Sequence, residues 1–175
     1  MSAFADLKLL FILCHNRAQM GHQNPDTSKQ IQSTLPPQGQ VLKLVLGARH
    51  YALRSSELTR VLPMCAWTPL HGSEGPLGLL ELAGILYPVV DPRPRLGLET
   101  VDIALEHHLL LIAAQSAFVL WVDRVEAVFE VSSEEVQRLE VFEGSPVRFL
   151  IRHSGETLLL LESGYFSPGE FVRPA

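Results

Sequence analysis

Short apolar runs separated by turn residues recur along the chain and predict a succession of β-strands. Residues 41–46 are almost entirely apolar and stop at Gly47, and residues 50–54 follow after this tight connection. The arrangement predicts a β-hairpin. Residues 57–62 predict a third strand, whereas residues 68–78 contain glycine and proline too densely for the interior of a regular element, which predicts a loop.

The second half of the chain repeats this pattern. Residues 109–114 and 118–122 predict another hairpin, and residues 147–152 and 157–161 predict the last one. In residues 125–131 apolar side chains alternate with glutamates, which is the period-2 pattern of a strand with one buried face. Many short strands at this spacing, with few helical stretches, indicate an all-β barrel or a pair of barrels.

One short helix is predicted between two of these strands. Ser132 carries the kind of side chain that caps a helix N-terminus, and Glu134 and Glu135 place negative charge at the positive end of the helix. The pattern predicts one or two helical turns that close near Leu139.

The central segment, residues 76–98, reads PLGLLELAGILYPVVDPRPRLGL and is the most informative part of the chain. Residues 84–90 predict a buried strand that begins at a glycine, and Asp91 and Pro92 mark the point where it stops. A short basic stretch follows and closes with the sequence Leu-Gly-Leu.

Composition and charge narrow the class of protein. The 175 residues are enough for one domain or for two small barrels that share a core. Hydrophobic residues make up 47% of the chain and charged residues 19%, which predicts a packed interior rather than disorder. The net charge of −5 argues against a nucleic-acid binder. Two cysteines far apart in sequence do not form a disulfide framework, so a reducing cytoplasm is the expected location.

The N-terminal region predicts a tail rather than part of the domain. The apolar run at residues 7–14 is interrupted by a lysine and is less than half as long as a membrane-spanning helix. It also lacks the flanks of a signal peptide. Translation from Met20 would leave residues 1–19 outside the protein, and the sequence leaves this alternative open. Residues 1–40 are expected to form a flexible tail without direct membrane insertion, and residues 41–175 the folded domain.

Candidate catalytic and metal-binding residues do not form a recognisable site. His107 and His108 are adjacent, so on a strand they would point to opposite faces, and no second cluster has metal-ligand spacing. A solvent-exposed loop is the favoured interpretation of this pair. Paired carboxylates for acid–base chemistry could come from Asp91, Asp123, Glu126 and Glu130, but nothing in the sequence places them in one pocket. We therefore expect no catalytic residue, no metal site and no cofactor.

Two side chains are assigned to the interior. Cys65 lies beside Ala66 and Trp67, which predicts a packed small side chain rather than an activated thiol. Trp121 lies in a predicted strand, where burial in the core is favoured over a role as an exposed anchor at an interface.

The order of these segments resembles the CheW-like domain family, the adaptor modules of bacterial chemosensory arrays. Residues 76–98 resemble the central family signature, in which a glycine, an apolar run and a Pro-Val-x-Asp turn precede a basic stretch and a Leu-Gly pair. Residues 41–53 resemble the opening hairpin of the family, and residues 120–128 resemble its Leu-x-Val-Asp-x-Val-x-x-Val block. Residues 132–136 fit the short turn after that block, and residues 158–166 resemble the closing segment.

Two positions depart from the family pattern. The central motif of the family usually reads Asn-Leu-Arg-Gly, whereas residues 81–84 read Glu-Leu-Ala-Gly here. Ala83 thus replaces an arginine that family members use at the partner-binding face. Arg60 replaces the acidic residue of the family's Val-x-Glu-Val strand. Because mismatched charge is a common route to partner specificity, these changes suggest a divergent adaptor for a dedicated signalling array, such as one for surface sensing or biofilm control.

The resemblance implies a fold and a function. CheW-like domains consist of two small five-stranded β-barrels packed around a shared core, with one or two short helices. The implied function is that of a non-enzymatic cytoplasmic adaptor that couples a methyl-accepting chemoreceptor to a CheA-like histidine kinase. One barrel would contact the kinase, and the groove between the barrels would take the receptor. The residues carried over by position as partner-binding candidates are Leu58, Arg60, Ala83, Gly84, Pro88 and Val90.

Other interpretations stay open at this point. By the same resemblance, Asp91 and Asp123 are expected to fix turns rather than to contact partners. A stand-alone domain that binds the kinase and competes for it, without coupling it to a receptor, is the main alternative function. A small β-barrel enzyme or ligand-binding protein unrelated to chemosensing is a further alternative, and a concave apolar pocket with convergent polar groups would favour it.

Overall fold

A computed structural model of the chain describes residues 38–72, 75–113, 116–141 and 144–168. Most of the predicted tail, residues 1–37, lies outside the described residues. Gly39 and Gln40, which the sequence assigned to the end of that tail, already belong to the first strand.

Twelve strands and four short 3-10 turns make up the described part of the domain. The strands are β1 (Gly39–Leu46), β2 (Arg49–Arg54), β3 (Leu58–Pro63), β4 (Thr68–Pro69), β5 (Gly78–Leu82), β6 (Ile85–Val90), β7 (His108–Ile112), β8 (Phe118–Val122), β9 (Arg124–Val131), β10 (Val136–Arg138), β11 (Val147–His153) and β12 (Glu156–Leu161). The 3-10 turns span Ser55–Glu57, Pro94–Leu96, Ser133–Glu135 and Ser163–Phe166.

These strands form two six-stranded sheets. The first sheet has the order β10-β11-β12-β2-β1-β9, and the second has the order β3-β7-β8-β6-β5-β4. Neighbouring strands are antiparallel except for one parallel pair in each sheet, β12 with β2 and β6 with β8. The chain leaves the first sheet after β2 and returns to it at Asp123, between β8 and β9.

Three apolar clusters fill the interior. The shared core lies between the sheets and takes residues from both, including Leu42, Leu44, Tyr51, Leu110 and Leu120. The first-sheet core contains Val41, Ala52, Val131, Phe149, Ile151, Leu158 and Leu160. The second-sheet core contains Leu80, Val89, Leu109, Leu111, Val119 and Trp121. Each sheet thus packs around its own core on one face and against the shared core on the other.

This arrangement explains why several strands are apolar at every position. In β8, Phe118, Leu120 and Val122 enter the shared core, whereas Val119 and Trp121 enter the second-sheet core. Successive side chains of a strand point to opposite faces, so a strand with both faces covered has no polar position. The predicted burial of Trp121 is confirmed, since only 4% of it is exposed.

The element predictions held for most strands, but they failed for residues 68–78 and for the segment after Ser132. Residues 68–78 were predicted as a loop, yet Thr68 and Pro69 form the short strand β4, which pairs with Leu79 and Gly78 of β5. The predicted helix after Ser132 is a single 3-10 turn. The Ser132–Glu135 capping box is present, but the chain then enters β10, because Val136 packs against the first-sheet core.

The strand count also differs from the five per barrel that the resemblance implied. No backbone ladder joins β9 to β10 among the residues that the structure describes. The Phe129 ring of β9 nevertheless stacks on His153 of β11, with ring centroids 4.2 Å apart. Nδ1 of His153 lies 2.7 Å from Oε1 of Glu135, in the turn between β9 and β10. These contacts bring the two ends of the first sheet together, so the sheet curls around its own core.

Ion pairs on the first sheet hold three of its strands together. Nζ of Lys43 in β1 lies 3.1 Å from Oε2 of Glu126 in β9 and 2.5 Å from Oε2 of Glu156 in β12. The hydrogen bond from Lys43 lowers the pKa of Glu156. Burial alone would raise the pKa of Glu126, but hydrogen bonds from Arg124 and Lys43 outweigh it and lower that pKa.

These ion pairs predict a loss of stability in acid. A glutamate whose pKa is lowered by folding adds stability that is complete above its ordinary pKa and disappears as the pH falls through the folded value. The free energy of unfolding, measured by urea titration, should therefore decrease as the pH falls below 4.5, the ordinary glutamate pKa, and through the lower folded values. Lys43→Met removes the shared cation and should make this decrease shallower. An unchanged pH profile in that variant would contradict the assignment.

Candidate partner-binding surface

The central signature folds into a hairpin whose turn lies at the solvent. β5 and β6 pair from Gly78 with Val89 to Leu82 with Ile85, which leaves Ala83 and Gly84 as a two-residue connection. Both have positive φ, 52° at Ala83 and 80° at Gly84. Two positive values are typical of a type I′ turn, whose twist matches that of the strands it joins.

The hairpin projects beyond the rest of the second sheet. β8 pairs with β6 only at Val89 and Val90, and β4 pairs with β5 only at Gly78 and Leu79. The distal half of the hairpin therefore has no neighbouring strand on either side among the described residues. We call residues 82–86 the hairpin tip.

The hairpin tip is apolar, and all of it except the half-buried Leu82 is exposed. Ile85 is 55% exposed and Leu86 is 58% exposed. The prediction that residues 84–90 form one buried strand was therefore wrong in its first half. Gly84 belongs to the turn, and the strand becomes buried only at Val89 and Val90, where β8 covers it. Exposed aliphatic side chains on a projecting element are typical of a docking surface.

The residues carried over by the resemblance do not all reach the surface. Ala83 and Gly84 are exposed in the turn, Pro88 is half-buried, and Arg60 is exposed on β3. Arg60 lies apart from the hairpin in the sheet, since β7 and β8 separate β3 from β6. Leu58 and Val90 are 8% and 2% exposed and belong to the shared core. Neighbouring strands cover both side chains in this conformation, so the role of these two residues as direct partner contacts stays a prediction.

A buried arginine holds the base of the hairpin to the rest of the fold. Arg93 is fully buried, and its Nη1 lies 2.8 Å from Oδ1 of Asp91. Its Nη2 pairs with Oδ1 of Asp123, and its Cζ lies 4.4 Å from the centroid of the Trp121 ring. Oδ2 of Asp123 accepts a hydrogen bond from the backbone N–H of Gly47 at 2.6 Å. The two carboxylates and the arginine thus connect both sheets.

These contacts confirm the prediction that Asp91 and Asp123 fix turns. Oδ1 of Asp91 accepts a hydrogen bond from the backbone N–H of Arg93 at 2.9 Å, and Asp123 joins the β1–β2 turn to the start of β9. Sequence reasoning missed Arg93, which it placed in an ordinary basic stretch. The available signal was its position two residues after an aspartate at the end of a buried strand.

Comparison with known proteins identifies the family. The model of the CheW-like domain family matches residues 40–163. The chain belongs to the CheW-like domain family. A chemotaxis protein CheW from Rhizobium meliloti (strain 1021) is 29% identical over 113 residues, which cover 59% of this chain and 73% of that protein. The crystal structure of the scaffolding protein TtCheW from Thermoanaerobacter tengcongensis matches with a TM-score of 0.65 at 16% identity, covering 72% of this chain and 90% of that chain.

The histidine pair of this CheW-like domain is not a solvent-exposed loop, so that prediction was wrong. His107 is 8% exposed, and its Nδ1 accepts hydrogen bonds from Nε1 of Trp121 at 3.1 Å and from the backbone N–H of Ala104 at 3.2 Å. Its Nε2 lies 3.9 Å from Oδ1 of Asp123. His107 therefore extends the network around Arg93 because its ring satisfies a buried indole N–H.

The predicted packing of Cys65 in the interior was also wrong, because the structure places this residue at the surface. Burial still raises the pKa of its thiol, which disfavours the reactive thiolate. Across the described ranges, no group of three or more His, Cys, Asp or Glu side chains could hold a metal ion. No helix in those ranges is long and apolar enough to cross a membrane.

The turn of the CheW-like hairpin stores strain at Ala83. A left-handed backbone costs an ordinary L-residue about 1–2 kcal/mol, whereas glycine adopts it freely. Ala83→Gly should therefore stabilise the domain by about 0.5–1 kcal/mol, after the larger entropy of the unfolded chain is subtracted. Urea titration measures the change. Gly84→Ala is the matched control, and it should destabilise the domain. Equal effects of the two changes would contradict the type I′ turn.

Proposed function

We propose that this protein is a non-enzymatic adaptor that couples a methyl-accepting chemoreceptor to a CheA-like histidine kinase. The observation that carries the proposal is the exposed hairpin tip. It places Ala83 and Gly84, which the family resemblance assigns to partner binding, at the end of a projecting apolar element. The family match and the two relatives, a chemotaxis protein and a scaffolding protein, support the same function.

The mechanism requires no bond chemistry. A domain that binds two proteins at once raises their effective concentration for each other. If it binds one conformation of the kinase more tightly than another, it also shifts the kinase toward that conformation. The buried network around Arg93 supports this role, because it fixes the two sheets relative to each other and so keeps separate docking surfaces at a constant spacing. The proposed location is the cytoplasm, where both partners present the relevant domains.

Simultaneous binding separates the adaptor from its main alternative. An affinity pull-down from the native cells identifies the kinase and the receptor to use. Isothermal titration then measures the affinity of the receptor's cytoplasmic fragment, with and without a saturating amount of the kinase's regulatory domain. An adaptor binds the receptor fragment in both conditions. A competing kinase-binding domain binds the kinase but not the receptor fragment. If the protein binds neither the kinase nor the receptor fragment, both proposed functions are overturned.

The two departures from the family pattern support a narrower proposal, that this adaptor serves a dedicated array. Arg60 is exposed on β3 and Ala83 is exposed at the hairpin tip. Both positions can therefore meet a partner, and at both the charge differs from that of the family pattern. A partner surface that fits an arginine at position 83 and a carboxylate at position 60 would find no charge at Ala83. At position 60, the basic group of that surface would face the like charge of Arg60.

Restoring the two charges should increase binding to a general chemotaxis kinase. We expect the double variant Ala83→Arg, Arg60→Glu to bind that kinase at least about 10-fold more tightly than the wild type. Its affinity for the native kinase should fall. The matched control is Ala127→Arg, Arg152→Glu, which makes the same changes at exposed positions of the first sheet. No gain for the first variant, or an equal gain for the control, would refute the dedicated array.

A further inference from the structure

The loop between the Pro94–Leu96 turn and β7 exposes an unusual set of side chains. Residues 99–106 read Glu-Thr-Val-Asp-Ile-Ala-Leu-Glu, and we call them the apolar-acidic loop. Val101, Ile103 and Leu105 are 40%, 58% and 89% exposed. Isolated exposed aliphatics are ordinary, but three at alternate positions of one short loop concentrate exposed apolar side chains in one segment.

This loop lies at the opposite end of the second sheet from the hairpin tip. It follows the C-terminal end of β6, and it ends where His108 of β7 pairs with Val122, the last residue of β8. β6 and β8 are parallel, so this is the C-terminal end of both strands. The hairpin tip is at the N-terminal end of β6. The six residues of β6 separate the two features by about 20 Å, at about 3.3 Å per residue.

Both ends of the apolar-acidic loop are fixed to the buried network. The backbone N–H of Leu98 donates to the carbonyl oxygen of Arg93 at 2.9 Å. Near the other end, the N–H of Ala104 donates to Nδ1 of His107, and the N–H of His107 donates to the carbonyl oxygen of Ala104 at 3.2 Å. A loop held in this way presents its side chains with little ordering cost on binding.

Charge restricts what can cover the loop. Glu99, Asp102 and Glu106 are exposed, and none makes an ion pair with a described residue. The sequence has no lysine or arginine from residue 96 to residue 123. Three carboxylates that have no ion pair within the described part of the chain repel anionic lipid head groups and nucleic-acid phosphates. They favour a protein surface that is apolar at its centre and carries lysine or arginine at its rim.

We infer that the apolar-acidic loop is a second docking surface, whose occupant is a protein with an apolar patch bordered by basic residues. The assignment of this occupant as the second partner of an adaptor rests on the proposed function. The existence of a docking surface does not rest on that function, because it follows from the exposure, anchoring and charge of the loop.

Site-specific photo-crosslinking in the native cells tests the inference. A benzophenone side chain replaces Leu105 in one full-length variant, Leu86 in a second and Val141, an exposed residue outside both features, in a third. Mass spectrometry identifies the crosslinked protein and the peptide. The expected result is an adduct at position 105 to a peptide flanked by lysine or arginine, on a different protein surface from the adduct at position 86.

Charge reversal supplies the second readout. Glu99→Lys, Asp102→Lys, Glu106→Lys should lower the yield of the position-105 adduct at least about 10-fold. The matched control is Glu130→Lys, Glu134→Lys, Glu140→Lys, three exposed glutamates elsewhere, and it should leave the yield unchanged.

The outcomes separate the inference from the proposed function. An adduct to a basic-rimmed surface of a protein that is neither kinase nor receptor supports the docking surface and refutes the assigned partner. Three results would overturn the docking surface. The adduct yield at position 105 could be no higher than at position 141, or the adduct could join a second copy of this chain or the chain's own residues 1–37. The third such result is a position-105 yield that charge reversal does not change.

Discussion

Replacing Arg93 by methionine should lower the free energy of unfolding by about 3–5 kcal/mol, the range observed when one partner of a buried ion pair is removed. The guanidinium is fully buried and contacts Asp91, Asp123 and the face of Trp121. Methionine fills part of the volume, but it leaves two carboxylates without a cation inside the protein. Urea titration by Trp fluorescence measures the loss, and Arg152→Met, at an exposed arginine of β11, is the control.

A second substitution distinguishes unpaired charge from lost packing. Asp123→Asn keeps an oxygen that can accept the hydrogen bond from Gly47, but it removes one of the two negative charges. In the double variant Arg93→Met, Asp123→Asn, the loss should therefore be smaller than the sum of the two single losses. A loss of less than about 1 kcal/mol for Arg93→Met, the size expected of a surface pair, would refute the network's structural role.

Much of the fold could be predicted from the sequence because several of its strands are continuous apolar runs bounded by turn residues. The apolar runs at residues 109–112, 118–122 and 158–161 have turn residues at their ends, and burial on both faces allows every position to be apolar. The order of the strands in each sheet could not be predicted from these local patterns. It depends on long-range pairings such as the parallel contact of β12 with β2, which no local pattern encodes.

The candidate site was predicted less well, for a physical reason in each case. Ile85 and Leu86 look like core residues in sequence, and only the projection of the hairpin past β8 exposes them. Conversely, Arg93 and His107 look like surface residues. Their burial depends in part on Asp123 and Trp121, which lie 30 residues from Arg93 and 14 residues from His107 along the chain. Composition records what a side chain prefers, but the partner that satisfies a buried polar group is set by the tertiary fold.

The largest functional effect should come from the hairpin tip. In the double variant Ile85→Ser, Leu86→Ser, we expect affinity for one of the two proposed partners to fall by about 30- to 1,000-fold, since two central aliphatic contacts are each worth about 1–2 kcal/mol. Stability should change little, because both side chains are more than half exposed. Isothermal titration against the kinase's regulatory domain and the receptor's cytoplasmic fragment measures both affinities, and Val141→Ser is the matched control.

Whether the double variant loses affinity for one partner or for both is more informative than the size of the loss. Because the hairpin tip lies at one end of the second sheet, its loss should weaken one partner and leave the other within about 2-fold of wild type, as expected for independent sites. Equal loss of both partners would mean that they share one surface, and such a protein could not hold them together. Unchanged affinity for both would show that the projecting hairpin, although apolar and exposed, is not where this CheW-like domain binds.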